Sequence, residues 1–162
     1  MVMESLRSPE ELQSFVREHG FTATLHPADE PMPTVEAAAV ALGIAPEEMT
    51  KNVVFIVEGR PVLAIAAGET RVDDRALARH FGVGRKKVKL ASAQQTFEAT
   101  GFVAGCVPPF GHRELLPTLV DESVLQLERV YGGTGDPKVL ISLPPDALLS
   151  LTNGVVLPLG QR

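Results

Sequence analysis

Two short apolar runs face each other across a glycine-containing turn. Residues 53–57 read VVFIV, 58–60 read Glu-Gly-Arg and 61–67 read PVLAIAA. β-Branched and aromatic residues suit an extended backbone, and a glycine in the connection favours tight reversal of the chain. The pattern predicts a β-hairpin over residues 51–67. Helices are expected on either side of it in sequence, so the fold class is α+β. The expectation is one domain over residues 1–162, with a curved, mixed or antiparallel, barrel-like sheet. That sheet is built from the hairpin and the strands after Pro117, with helices packed around it.

The helices announce themselves by their ends. Ser8-Pro9-Glu10-Glu11 combines an N-cap, a proline at the first position and a capping-box glutamate, with Gly20 as the stop. Thr34 caps a second helix that runs to Leu42 and closes at Gly43. Asp73 or Asp74 opens a third, with Leu77, Ala78 and Phe81 inward and Gly82 at its end. Ser92 and Gln95 form a capping box for a fourth, which stops at Gly101. Pro144-Pro145-Asp146 opens a last helix through Leu151. Further strands are predicted over 21–26, 88–90, 117–120, 127–131, 138–143 and 155–159, with a glycine-rich turn at 132–136.

Charge limits the partners. The net charge is −5, yet residues 1–50 carry nine acidic and two basic side chains, whereas the remainder carries eleven and thirteen. A chain that grips a long duplex presents a broad basic face. This one has a single basic cluster, Arg85-Lys86-Lys87 with Lys89. It reads either as a solvated sheet edge or as a contact for a few phosphates. The apolar runs are too short to span a bilayer, and the N-terminal residues lack the pattern of a secretory signal. Neither DNA nor a membrane is an expected partner. A single cysteine excludes an internal disulfide, and the cytoplasm is the expected compartment.

Residues 101–122, GFVAGCVPPFGHRELLPTLVDE, concentrate glycine, proline and polar side chains. Glycine admits positive φ and close backbone approach, while proline fixes φ and withholds a donor. Such a loop suits a site whose working groups are backbone amides, although a tight helix-to-strand connection has the same composition. Lys51 is the second notable residue, a charge at the mouth of an apolar strand. A serine-hydrolase elbow, a HExxH helix and paired CxxC motifs are all missing, so no metal is expected. Gly132–Gly135 lacks the following helix of a phosphate-binding loop. Cys106 with His112 as its base would make a nucleophilic pair, but no third orienting residue is evident.

Three features in order resemble the YbaK/ProX family of aminoacyl-tRNA deacylases, which includes the editing domain inserted in bacterial-type prolyl-tRNA synthetases. They are Thr50-Lys51 leading into the first hairpin strand, the loop from Gly105 to Pro109, and Leu116-Pro-Thr-Leu-Val-Asp121 followed by a strand, a glycine-rich turn, another strand and a closing helix. The resemblance implies hydrolysis of the ester between a mischarged small amino acid and the terminal adenosine of tRNA. It implies Lys51 and Gly105 as catalytic groups. It further implies Thr50, Cys106, Val107, Pro108, Pro109 and Gly111 around the substrate, with His112 and Asp121 as polar walls. No cofactor is implied. The partner is the tRNA acceptor end, with an aminoacyl-tRNA synthetase as a second candidate. The Cys106-Val107-Pro108 sequence departs from members with small residues or serine there, which leaves the amino acid open. A non-catalytic module that binds tRNA ends or a synthetase is the alternative.

Overall fold

The computed structural model describes residues 4–161, so the expected domain limits at 1 and 162 lie outside the described residues. In chain order the elements are α1 (Pro9–Glu18), β1 (Thr24–Pro27), α2 (Val35–Leu42), β2 (Thr50–Val57), β3 (Arg60–Ala67) and α3 (Asp74–Phe81). They continue with β4 (Val88–Leu90), α4 (Ala93–Thr100), β5 (Thr118–Asp121), β6 (Val130–Gly133), β7 (Val139–Leu143), α5 (Pro145–Thr152) and β8 (Val155–Leu157).

The hairpin forms as its pattern requires. β2 and β3 pair antiparallel from Thr50↔Ala67 to Val57↔Arg60. Glu58 and Gly59 both take positive φ, 48° and 79°, as a two-residue turn matched to strand twist demands. The capping signals also hold. Ser8 and Ser92 make complete capping boxes, Thr34 and Asp73 accept from backbone amides, and Gly43, Gly82 and Gly101 end their helices in the left-handed region.

The strands distribute over two sheets. A five-stranded sheet has the order β4-β2-β3-β5-β8, with β5 parallel to β3 and β8 parallel to β5. A three-stranded antiparallel sheet has the order β1-β7-β6. An isolated parallel bridge, Met49↔Tyr131, connects the two. The expected barrel-like curvature thus resolves into two linked sheets without closure. β6 and β7 leave the hairpin's sheet because β7 takes β1 as its partner, Thr24↔Ser142 through Pro27↔Val139.

Two local expectations shift. The strand expected over 127–131 begins at Val130, because Glu122–Gln126 winds into a short 3-10 segment capped by Asp121. Gly132 and Gly133, expected in a turn, belong to β6.

Alternation along β2 and β3 sends side chains into two cores. Val54, Leu63 and Ile65 pack with Leu12 and Val16 of α1, Ile141 and Leu143 of β7, and Leu148 of α5. Phe55, Val57, Val62 and Ala64 pack with Ala76 and Leu77 of α3, Leu119 and Leu159. Both faces of the sheet are therefore covered, which explains why its strands read as continuous apolar runs. A small third cluster of Ala38, Met49 and Leu140 anchors α2. No helix among the described residues is long and apolar enough to cross a membrane.

Candidate active site

Among the described residues, the outer edge of β2 is paired only at its two ends. β4 pairs with Phe55 to Val57, and the Ala91 amide adds a bond to the Val54 carbonyl at 3.0 Å. At the other end Met49 bridges to β6. Lys51, Asn52 and Val53 lie between these contacts, and here the glycine-proline loop approaches.

That loop is hung from both sides. Where α4 ends, the buried Thr100 hydroxyl donates to the Thr96 carbonyl at 2.7 Å and accepts from the Phe102 amide at 3.0 Å. Further on, the Val107 carbonyl accepts from Asn52 Nδ2 at 3.0 Å, and the Cys106 carbonyl accepts from the Gly135 amide at 2.8 Å. The Pro108 carbonyl accepts from His112 Nε2 at 2.6 Å, which fixes the proton on that nitrogen. Pro109 lies against Gly132, where a Cβ would stand 2.8 Å from Pro109 Cδ and 3.1 Å from Thr50 Oγ1. A Cβ on Gly133 would stand 3.1 Å from the Cys106 carbonyl. The two strand glycines are thus the floor on which the loop rests.

With these carbonyls tied down, other loop groups are left over. The Cys106 amide closes a turn onto the Val103 carbonyl at 3.0 Å. Among the described residues, the amides of Ala104, Gly105 and Val107 donate to no protein group. Gly105 has φ +91° and no neighbour within 4 Å of where a Cβ would be, so conformation rather than crowding calls for glycine.

Ala104, Gly105 and Val107 line a cavity of about 650 Å³ together with Thr50, Lys51 and Asn52. Its remaining walls come from the start of α2, the Gly68-Glu69 turn, Leu90 and Ala91, Thr96, and Gly133. Lys51 is exposed and Thr50 is buried, its hydroxyl donating to the Tyr131 carbonyl at 3.2 Å. Glu36 and Glu69 face each other at the wall. Their hydrogen bond and mutual charge hold the Glu69 carboxyl above its ordinary pKa. Asn52, unremarked in the sequence, has its Oδ1 buried with no partner among the described residues. Its signal was a polar residue in the inward row of β2, on the same face as Val54.

The other sequence candidates lie apart from this cavity. Cys106, Pro108, Pro109 and Gly111 support the loop without lining the cavity. His112 lines a separate groove with Phe15, Leu116 and Ser150. Burial lowers its pKa to about 4, outweighing the Pro108 hydrogen bond that acts the other way. Burial, aided by the Asp136 carboxylate, pushes the Cys106 thiol pKa up, the reverse of what a nucleophile needs. Asp121 is a buried structural group: Oδ1 accepts from the Leu159 amide at 2.7 Å and Oδ2 from the Ser123 amide at 3.2 Å. Among the described residues no three His, Cys, Asp or Glu side chains gather as a metal site.

Residues 29–151 match the family described as the aminoacyl-tRNA editing domain. The chain belongs to that family. The matched span contains every residue that lines the cavity, from Met32 to Gly133. This editing domain is 31% identical over 122 residues to the Enterococcus faecalis protein named "Putative Cys-tRNA(Pro)/Cys-tRNA(Cys) deacylase EbsC", a match over 75% of this chain and 73% of that one. It is 35% identical over 78 residues to the proline–tRNA ligase of Maridesulfovibrio salexigens, a match over 48% of this chain and 13% of the ligase. The editing domain's fold superposes with a TM-score of 0.86 on a crystal structure described as "a putative trans-editing enzyme for prolyl tRNA synthetase". That pair is 30% identical, over 96% of this chain and 99% of the other.

Proposed function

We propose that this editing domain acts in trans as a hydrolase, cleaving the ester that joins a small amino acid to the terminal adenosine of a mischarged tRNA. The observation that carries the reading is the meeting of one cation, Lys51, with the free amides of Ala104, Gly105 and Val107 around a single cavity. An aminoacyl ester is already activated, so the site has only to orient water and hold the charge that develops on the carbonyl oxygen. Water adds to the carbonyl carbon, and the loop amides receive the oxyanion, where preorganised donors in a partly desolvated site act most strongly. Collapse breaks the C–O bond to the ribose, whose oxygen takes a proton as the free amino acid departs. The Lys51 ammonium fixes the terminal phosphate or the carbonyl oxygen, and the neighbouring ribose hydroxyl helps place the water. No side chain lining the cavity is assigned as general base, in keeping with assistance from the substrate. A synthetase is a further candidate partner, supported by the match to a proline–tRNA ligase.

The test is deacylation of a panel of mischarged tRNAs by wild type and Lys51→Ala. The expected outcome is a fall in kcat/KM of about 100-fold, the scale for losing one preorganised charge-stabilising group. Near wild-type turnover by Lys51→Ala would remove Lys51 from the mechanism. Binding of tRNA without turnover of any substrate would favour a non-catalytic recognition module instead.

A further inference from the structure

A second groove lies beside the cavity on the same edge of the five-stranded sheet. It is lined by Ile56, Glu58, Gly59, Lys86, Lys87, Lys89, Leu90 and Gln95, and Leu90 borders both spaces. Lys86, Lys87 and Lys89 are exposed and have no ion-pair partner among the described residues. Arg85 is held differently, its Nε 3.1 Å from Asp74 Oδ1. Among the described residues Glu58 is the one acid lining the groove, and Gln95 is engaged as a helix cap. A short edge strand with lysines can serve simply to deter edge-to-edge pairing. Here, however, the lysines gather around a groove that adjoins the candidate active site.

We propose that Lys86, Lys87 and Lys89 form the docking strip for the phosphates of the tRNA acceptor arm just beyond its unpaired 3′ end. This deepens the hydrolase reading and rests on its RNA partner. Register sets the spacing: Lys89 pairs with Ile56, five residues along β2 from Lys51. Five strand residues span about 17 Å at ~3.3 Å each. At about 3.4 Å per stacked nucleotide, that is roughly five nucleotides. A terminal adenosine at Lys51 thus brings the junction of single strand and duplex to the lysine strip. Exposed Leu90, 67% accessible, lies between the two spaces and offers an apolar contact to an unpaired base. The strip supplies three ammonium groups, so it grips a few phosphates and leaves the rest of the arm free.

The experiment compares wild type with the triple variant Lys86→Gln, Lys87→Gln, Lys89→Gln, and with Arg17→Gln plus Lys138→Gln as a control for charge lost away from the groove. Binding of an uncharged acceptor-arm minihelix is followed across a salt series. Hydrolysis is followed on full aminoacyl-tRNA and on an aminoacylated CCA trinucleotide. The triple variant is expected to bind the minihelix about tenfold more weakly at low salt, with a salt slope reduced by roughly one per lysine. Its KM for aminoacyl-tRNA rises while kcat and trinucleotide hydrolysis stay unchanged, and the control behaves as wild type. An unchanged minihelix slope, or equal loss on both substrates, overturns the strip. If wild type hydrolyses neither substrate but binds the minihelix through these lysines, the strip stands and the hydrolase reading fails.

Discussion

Gly105 and Gly132 both lack a side chain, for opposite reasons. Gly105 stands in open space at φ +91°, so a methyl group meets nothing but forces an unfavourable backbone, costing about 1–2 kcal/mol. Gly132 has ordinary φ, but its Cβ would stand 2.8 Å from the ring of Pro109, which cannot rotate away. Gly105→Ala should therefore lower thermal stability modestly and abolish deacylation by turning the amides around it. Gly132→Ala should lower stability by about 1–3 kcal/mol, the range for overpacking a close contact, and displace the loop from beneath. Melting curves and initial rates on one mischarged tRNA check both. A fully active Gly105→Ala enzyme would mean that the loop amides do not hold the oxyanion. The positive φ of Gly105 agrees with reading that glycine as a backbone device. The need for Gly132 was not legible, because Pro109, which crowds it, is far off in the chain and the local pattern resembled a turn.

At the scale of elements, α4 sets the angle at which the loop leaves the helix. Thr100 is fully buried, and its hydroxyl both accepts from the Phe102 amide and donates to the Thr96 carbonyl. Thr100→Val keeps the shape and strands a buried N–H, which should cost about 1–3 kcal/mol. For a chain of this size that is a fall of about 2–4 °C in Tm per kcal/mol. Hydrogen exchange should quicken at Phe102 and the amides after it, and kcat/KM should fall with them; unchanged exchange there would disconnect Thr100 from the loop. Helix limits were legible because caps are local: Ser92 to Gln95 and Thr34 to Ala37 each span three residues. Strand partners were not. β1 finds β7 across more than a hundred residues, and the parallel joins β3–β5 and β5–β8 carry no turn between them to signal the pairing.

Segments far apart in the chain converge on the cavity: α2, β2, the Gly68-Glu69 turn, the end of β4, α4, the loop and β6 each contribute a wall. Lys51 and Gly105 line this cavity, whereas His112 and Asp121, polar and nearby in sequence to the loop, do not. Chain proximity says little about which side of a packed loop a residue occupies. Under the proposed function, the same walls set selectivity. In the hydrolase proposed above, the terminal adenosine and the amino acid share this space of about 650 Å³. The lining includes Val35, Ala38, Val53 and Val107, so under that proposal discrimination among small amino acids rests on contact and volume. One methylene in such a setting changes binding by about 1–3 kcal/mol, or roughly 10- to 200-fold. Alanyl, seryl and cysteinyl esters on the same tRNA should therefore be hydrolysed with graded kcat/KM, whereas leucyl and phenylalanyl esters should be spared. Rates measured on this series with one tRNA body separate pocket selection from RNA recognition. Equal rates for alanyl and phenylalanyl esters would show that the amino acid lies outside these walls.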